Sequence, residues 1–437
     1  MWDVLQTRPF QRLRRVKQLA FSELVFPGAT HTRFAHSVGV FHIARQLMRI
    51  IEDHLGERDF DPDRAKIALA AALVHDIGHG PFSHSFEDAG EKLDIPFSKH
   101  EEVSASLISG SDVSDVLNQL GNGTASDVAK LIAVDGPTDI YSAVVSSQFD
   151  ADRLDYIQRD PLMTGTQHSR IDFTWLRSNL EIGNLPVGVD EEPAGELATF
   201  VLNSKAFYAA ESYVLGLFHL YPTVYFHKAT RSAEKLFTHL LLRLHNLANN
   251  SAVEKSALSG SHPLIRFLQN PNQANFLSMD DTLIWGSLHQ MVDAEDVCLK
   301  DIALRLRDRK LLKCEDARSK LEYQIGSAST QDVLDVCSEK FVDSVEDWNA
   351  ENGALMPRII LDKGSRPTYK PFSEGKGPLN RIHMNMHGKL MDVSNVSKAV
   401  NASGTFKFLR AYIDAGDQDA RRFINDKINE IAKGVSQ

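Results

Sequence analysis

The chain has 437 residues, 43% hydrophobic and 24% charged, a composition typical of a globular protein long enough for two or three domains. Its 48 basic and 58 acidic side chains leave a net charge of −10, which argues against a broad nucleic-acid-binding surface or a polybasic membrane surface. Three cysteines exclude a disulfide framework, and the longest apolar run is far shorter than the roughly 20 residues that cross a membrane. We therefore expect a cytoplasmic protein without a membrane partner.

The first long helix is predicted over about 32–55. Val40, Ile43, Leu47 and Ile50 recur at the spacing of a buried helical stripe. His36 lies four residues before Val40 and continues the stripe, so we expect its side chain to point inward.

A second buried helix is predicted to begin at Asp61-Pro62 and to stop at Gly78, because these residue types are typical of helix starts and ends. Further helices are predicted at about 99–109, 126–134, 139–147, 173–182, 196–249 and 296–322. Short strands are predicted at 358–361 and within 381–393, with a turn at His387-Gly388. We place one domain in residues 1–250 and a C-terminal helical lobe with a small β element in residues 251–437.

Histidine is concentrated near the N-terminus, where eight of the 17 histidines lie within the first 100 residues. The adjacent pair His75-Asp76 ends the second predicted helix, and together with the inward His36 it could supply three ligands of a metal site. A fourth ligand is expected from the acidic stretch 150–160, in which spacing alone does not separate Asp150, Asp152 and Asp155. Imidazole and carboxylate ligands suit Mn, Fe, Zn or Mg.

These motifs, in this order, resemble those of the HD-domain phosphohydrolases. Longer strings resemble the deoxynucleoside triphosphate triphosphohydrolases, a group that includes bacterial dGTPase-like enzymes and the vertebrate SAM-and-HD-domain dNTPase. The matching strings are Phe10–Leu19, Phe26–Ser37, His75–His84, Lys99–Glu101 and Asp150–Asp160. The resemblance implies a mostly α fold, with an HD-domain helical core and a C-terminal lobe that contains a few short β-strands.

The resemblance also implies roles for individual residues. The metal ligands would be His36, His75, Asp76 and Asp152. The catalytic residues near the phosphates and the leaving group would be His79, His84, His100 and Glu101. The substrate-binding residues would be Gln18, Leu19, Arg33, Arg153, Tyr156, Asp160 and Lys228.

The implied reaction is the metal-dependent hydrolysis of dNTPs to a deoxynucleoside and inorganic triphosphate. The expected partners are the dNTP substrate, a nucleotide effector and further copies of the chain, whereas a nucleic acid is not expected. One alternative is a phosphohydrolase of another nucleotide or of single-stranded nucleic-acid ends, because Leu217 stands where several relatives carry an arginine that reaches the phosphates. A third hypothesis is a non-catalytic nucleotide sensor.

Overall fold

The computed structural model describes residues 1–134, 136–167, 169–189, 192–353, 355–369 and 378–435. Its α-helices are α1 (Trp2–Gln6), α2 (Arg8–Arg12), α3 (Arg33–Asp59), α4 (Pro62–Val74), α5 (His84–Lys92), α6 (His100–Gly110), α7 (Asp112–Asn118), α8 (Thr124–Ala133), α9 (Ile140–Ala143), α10 (Ala151–Thr164), α11 (Phe173–Ser178), α12 (Phe207–Leu220), α13 (Lys228–Asn249), α14 (Pro263–Gln269), α15 (Gln273–Phe276), α16 (Asp281–Met291), α17 (Val297–Arg307), α18 (Ala317–Ile325), α19 (Gln331–Asn352), α20 (Val393–Val396), α21 (Lys398–Ala402) and α22 (Gln418–Lys433). Its strands are β1 (Leu180–Val189), β2 (Glu192–Asn203), β3 (Lys313–Asp316), β4 (Ile360–Pro367), β5 (His383–Met386), β6 (Lys389–Asp392) and β7 (Thr405–Ile413). The prediction of a mostly α fold with a few short strands is confirmed.

Helices α3 and α4 begin where the sequence predicts. Thr32 caps α3 by accepting a hydrogen bond from the amide of Ala35. Asp61 caps α4 by accepting bonds from two amides of its first turn, each at 3.0 Å. The small, buried alanine side chains of α4 let α3 pack closely against it, and α10 packs on α3 as well. These contacts bring the N-terminal half of α3, the end of α4 and the start of α10 together.

The segment 180–203 differs from the prediction, because helix was expected over parts of it and it forms strands β1 and β2 instead. The two strands pair in antiparallel fashion within a sheet of order β1-β2-β5-β6. Phe200, Val201 and Leu202 are all buried on β2, which has a neighbouring strand on each side. Such a continuous apolar run lacks the alternation that would separate a strand from a buried helix.

The predicted strands and turn in the segment 381–393 are confirmed by the hairpin of β5 and β6. His387 and Gly388 have φ values of 56° and 85°, the conformation that a tight hairpin turn needs. The predicted helix over 296–322 is wrong in its middle, since β3 separates α17 from α18. β3 joins a second sheet of order β3-β7-β4.

Two compact units divide the chain. The first contains Met1–Val224, Asn270–Leu283 and Pro367–Gly404, and the second contains Tyr225–Gln269, Ile284–Arg366 and Thr405–Gln437. One apolar core of the second unit is formed by α18, α19 and α22 against β7. The predicted domain boundary near residue 250 stays a prediction. In the ranges given above, no helix combines the length and the hydropathy needed to span a membrane.

Candidate metal centre and active site

His36 is fully buried on α3, and both of its ring nitrogens face carboxylates. Its Nδ1 lies 2.8 Å from Asp155 Oδ2, and Asp155 also accepts two bonds from Arg159 at 2.7 Å each. Its Nε2 lies 2.9 Å from Asp152 Oδ1 and 3.7 Å from Asp76 Oδ2. Since Asp155 accepts from Nδ1, the neutral form of the ring carries its lone pair on Nε2, the atom that a metal ion would use.

His75 presents its Nε2 to the same place. Its Nδ1 donates to the carbonyl of Ala72 at 3.0 Å, and its Nε2 lies 3.4 Å from Asp76 Oδ1 and 3.8 Å from Asp152 Oδ1. The Nε2 atoms of His36 and His75 are buried and make no hydrogen bond of acceptable geometry. Two orphaned imidazole nitrogens beside two carboxylates fit a divalent cation with nitrogen and oxygen ligands.

The electrostatics of this cluster favour positive charge. Burial lowers the pKa of His36, but the carboxylates of Asp152 and Asp155 outweigh it and raise that pKa to about 10 in the metal-free protein. Burial raises the pKa of Asp76, yet Arg33 and the neighbouring histidines hold it well below its usual range. Arg33 is buried and ion-paired with Asp76. The carboxylates are therefore ionised and ready to bind a cation.

A second cluster adjoins the first and contains His79, His84, His100 and Glu87. The rings of His79 and His100 stack at 4.0 Å, and His79 Nε2 lies 3.3 Å from Oδ1 of the candidate ligand Asp76. Glu87 contacts Nδ1 of His84 at 2.7 Å and Nδ1 of His100 at 2.5 Å. The structure thus brings the three predicted catalytic histidines together around one carboxylate.

That carboxylate belongs to Glu87, which the sequence analysis missed, whereas the predicted Glu101 is exposed on α6. Burial raises the pKa of Glu87, but its bonds to His100 and His84 hold it below its usual range. The spacing of His84 and Glu87, three residues apart on a helix, is a sequence feature that could have found it.

The acidic stretch resolves into three roles. Asp150 caps α10 and is ion-paired with Arg153. Asp152 faces the Nε2 atoms of His36 and His75, and Asp155 contacts His36 Nδ1 on the other side of the ring. Asp152 and Asp155 lie on α10 at different angles around its axis, and Asp150 directly precedes the helix. The packing of α10 on α3 decides that Asp152 and Asp155 meet His36 from opposite sides of its ring and that Asp150 does not.

The predicted substrate-binding residues lie on several different elements of the fold. Asp152, Tyr156 and Asp160 follow at four-residue intervals and share one face of α10. Asp160 is buried, with its Oδ1 at 2.8 Å from His31 Nε2, and the amide of Gln18 donates to the carbonyl of His31 at 3.0 Å. Leu19 is buried, and burial raises the pKa of Tyr156 well above its usual value. Lys228 is the first residue of α13 in the second unit, and its role stays a prediction.

A buried arginine supports the loop that carries the His-Asp pair. Arg12 is 1% exposed and donates to the carbonyls of Ile77, His79 and Met279 at 3.2, 2.5 and 3.0 Å. Burial lowers its pKa to about 10. The backbone between the metal ligands and the second cluster is therefore held by a side chain from α2.

Comparison with known proteins places the chain in a family. Residues 33–155 match the family model described as HD domain. The uncharacterized protein YwfO of Bacillus subtilis is 35% identical over 315 residues, which cover 72% of this chain and 67% of that protein. The chain belongs to the HD-domain family.

This HD-domain protein also resembles named enzymes. The deoxynucleoside triphosphate triphosphohydrolase SAMHD1 homolog of Dictyostelium discoideum is 31% identical over 53% of the chain and 44% of that protein. A phosphohydrolase from Bacteroides thetaiotaomicron, known as a crystal structure, is 27% identical with a TM-score of 0.69 over 94% of both chains. HD domains bind divalent metals, and the family is one of metal-dependent phosphohydrolases.

Proposed function

We propose that this HD-domain protein hydrolyses dNTPs to a deoxynucleoside and inorganic triphosphate. One observation carries the proposal: His36, His75, Asp76 and Asp152 converge directly beside the cluster of His79, His84, His100 and Glu87. A metal site alone would suit many hydrolases, whereas an adjoining group of histidines also provides proton donors. The names of the SAMHD1 relatives support a dNTP as the substrate.

The residues divide the chemistry between them. A divalent ion held by His36, His75, Asp76 and Asp152 would polarise the phosphoryl group and lower the pKa of a bound water toward neutrality. Asp155 and the carbonyl of Ala72 fix the tautomers of the two histidine ligands by occupying their Nδ1 atoms. The ligand set is therefore preorganised rather than assembled on binding.

The leaving group sets the second requirement. Attack by water oxygen at the α-phosphorus breaks its bond to the nucleoside 5′-oxygen, a poor leaving group that needs a proton. His84 is the best-placed donor, because its side chain is 71% exposed while Glu87 occupies its Nδ1. Its Nε2 would give the proton to the 5′-oxygen, and Glu87 would stabilise the protonated ring before transfer.

The remaining predicted contacts stay part of the proposal. Arg33 and Arg153 would face the triphosphate, although each is already paired with an aspartate, Asp76 and Asp150 respectively. Gln18, Leu19, Tyr156 and Asp160 would line the sugar. A homo-oligomer and a nucleotide effector remain expectations from the resemblance.

The test is a panel of the four dNTPs with Mn²⁺, Mg²⁺, Fe²⁺ or Zn²⁺ and chromatographic identification of the products. We expect deoxynucleoside and triphosphate, and we expect Asp76→Asn and Asp152→Asn to lose both bound metal and turnover while keeping the circular dichroism spectrum. Asp63→Asn is the matched control, because its carboxylate is 82% exposed on α4. Release of monophosphate or pyrophosphate would contradict the proposed reaction.

A second candidate is a phosphohydrolase of another nucleotide or of single-stranded nucleic-acid ends. Leu217 on α12 motivates it, since this apolar side chain supplies no charge for a triphosphate. Cleavage of a labelled oligonucleotide by metal-loaded protein that is inert toward all four dNTPs would favour this candidate. Tight nucleotide binding without any hydrolysis would instead favour a sensor.

A further inference from the structure

The turn that leads into His84 has a strained backbone. Phe82 and Ser83 both have a φ of 56°, in the left-handed region that residues other than glycine rarely adopt. A residue in this conformation is strained and persists only where surrounding contacts hold it. Because His84 is the first residue of α5, this turn sets the position from which its side chain projects.

Asp281 holds this turn from a distant part of the chain. Its Oδ1 accepts the amide of Phe82 at 2.8 Å, and its Oδ2 accepts the amide of Lys17 at 2.9 Å. The residue is 2% exposed, so both amides depend on it as their buried acceptor. The proposed mechanism assigns no role to Asp281.

Hydrogen bonds continue from this turn to a candidate metal ligand. Ser83 Oγ accepts from Arg33 Nε at 2.8 Å and donates to the carbonyl of Lys17 at 3.3 Å. Arg33 in turn donates through Nη1 to Asp76. The backbone of Lys17 therefore links Asp281 to Ser83, and Ser83 links the turn to the arginine that orients Asp76.

We propose that Asp281 is a positioning residue for the hydrolytic site. It fixes the strained turn so that His84 projects correctly and Arg33 holds the Asp76 carboxylate in place. The catalytic part of this inference rests on the proposed function, whereas the part that concerns Asp76 depends only on metal binding.

Asp281→Asn is the informative variant. The asparagine side chain keeps the shape of aspartate and one acceptor oxygen. Its NH₂ group, however, faces the backbone amide of either Phe82 or Lys17, so one of these two hydrogen bonds is lost. Asp280→Asn is the matched control, since the neighbouring Asp280 pairs with Arg15 and caps the amide of Leu283 without touching the turn. Asp281→Glu keeps both carboxylate oxygens and is expected to rescue part of the function.

Three measurements are made on the full chain of each variant: Co²⁺ affinity by absorbance titration, steady-state dNTP kinetics at saturating metal, and urea unfolding. We expect Asp281→Asn to lower kcat about 10- to 100-fold, the cost of displacing a catalytic group by about 1 Å, with KM within about twofold of wild type. We expect its Co²⁺ Kd to rise about tenfold, as for other residues that orient metal ligands, while Asp280→Asn matches wild type.

Several results would overturn the inference. It fails if Asp281→Asn keeps wild-type kcat and Co²⁺ affinity, or if Asp280→Asn loses as much as Asp281→Asn. If Asp281→Asn does not fold, Ser83→Ala is measured in its place. Ser83→Ala removes the hydrogen bond from Arg33 to the turn and leaves Asp281 unchanged. Unchanged Co²⁺ affinity in Ser83→Ala would then refute the inference. If wild-type protein hydrolyses no dNTP, the proposed function fails, and the Co²⁺ titration alone decides the role of Asp281.

Discussion

Gly39 lies one turn after His36 on α3, at a position where a side chain has no room. A methyl group at Gly39 would lie 2.0 Å from Asp155 Oδ1 and 2.2 Å from Arg159 Nη2. Contacts of this kind below about 3 Å are essentially absent from folded proteins. Gly39→Ala must therefore push the Asp155 carboxylate away by about 1 Å, which breaks its 2.8 Å contact with His36 Nδ1.

The magnitude follows from two opposing effects. The hydrogen bond from His36 to the ionised Asp155 is worth about 1.5–3 kcal/mol, whereas alanine gains up to about 1 kcal/mol over glycine inside a helix. We expect the free energy of unfolding of the metal-free protein to fall by about 1–2 kcal/mol. Because His36 Nε2 is then held less firmly, we also expect a 10- to 100-fold loss of metal affinity.

The assay combines urea unfolding of EDTA-treated protein with a Co²⁺ titration of the folded protein. Gly286→Ala is the control, because Gly286 is exposed on α16 and a methyl group there meets no atom within 4 Å. The control should be unchanged in metal affinity and equal to or slightly above wild type in stability. If Gly39→Ala behaves like Gly286→Ala, the reasoning that Asp155 supports the metal ligand His36 is wrong.

Three further predictions concern other parts of the molecule. Arg12→Leu should lower the free energy of unfolding by about 3 kcal/mol or more, because three buried carbonyls lose their donor. Arg15→Leu should lower it by about 1 kcal/mol or less, because the Arg15 side chain is 52% exposed. Urea titration of both variants measures the difference. Glu87→Gln should lower kcat about 100-fold or more in the dNTP assay, and exposed Glu101→Gln should leave it within about twofold. Burial raises the pKa of Asp362, but its hydrogen bonds to the partly buried Arg231 hold the pKa below its usual range. The ionised Asp362 therefore stabilises the fold above about pH 4 and loses that contribution as the pH falls. Asp362→Asn should cost about 3–5 kcal/mol at pH 7 and show a weaker acid dependence in urea titrations between pH 3 and pH 7; equal acid dependence in both proteins would contradict it.

Local sequence patterns predicted α3, which carries His36, and α4, which leads into His75 and Asp76, but they predicted no helix over α10, which carries Asp152. The stripe from Val40 to Ile50 placed His36 on the inward face of α3, and the Asp61-Pro62 start placed His75 at the end of α4. These predictions succeeded because helix capping and apolar periodicity act within a few residues of the chain. The same local rules predicted the hairpin turn at His387-Gly388.

Capping residues and apolar periodicity did not predict the pairing of β1 and β2. The segment 180–203 became β1 and β2 because β2 is covered by neighbours on both edges, β1 on one side and the distant β5 on the other. Pairing with a strand about 180 residues later leaves no mark in the local pattern of apolar residues. The prediction of helix there failed for that reason.

The sequence by itself determined which residue types could hold a metal and in which order they occur. Spacing alone left Asp150, Asp152 and Asp155 as equal candidates, and the resemblance to the HD-domain phosphohydrolases selected Asp152. The packing of α10 on α3 then puts Asp152 Oδ1 at 2.9 Å from His36 Nε2. The sequence singled out Glu101, whereas the fold brought Glu87 to the histidines, and nothing local connected Asp281 to the turn before His84. The sequence determines the chemistry of each side chain. The distances between side chains that lie 100 or more residues apart in the chain are set only when the helices pack against one another.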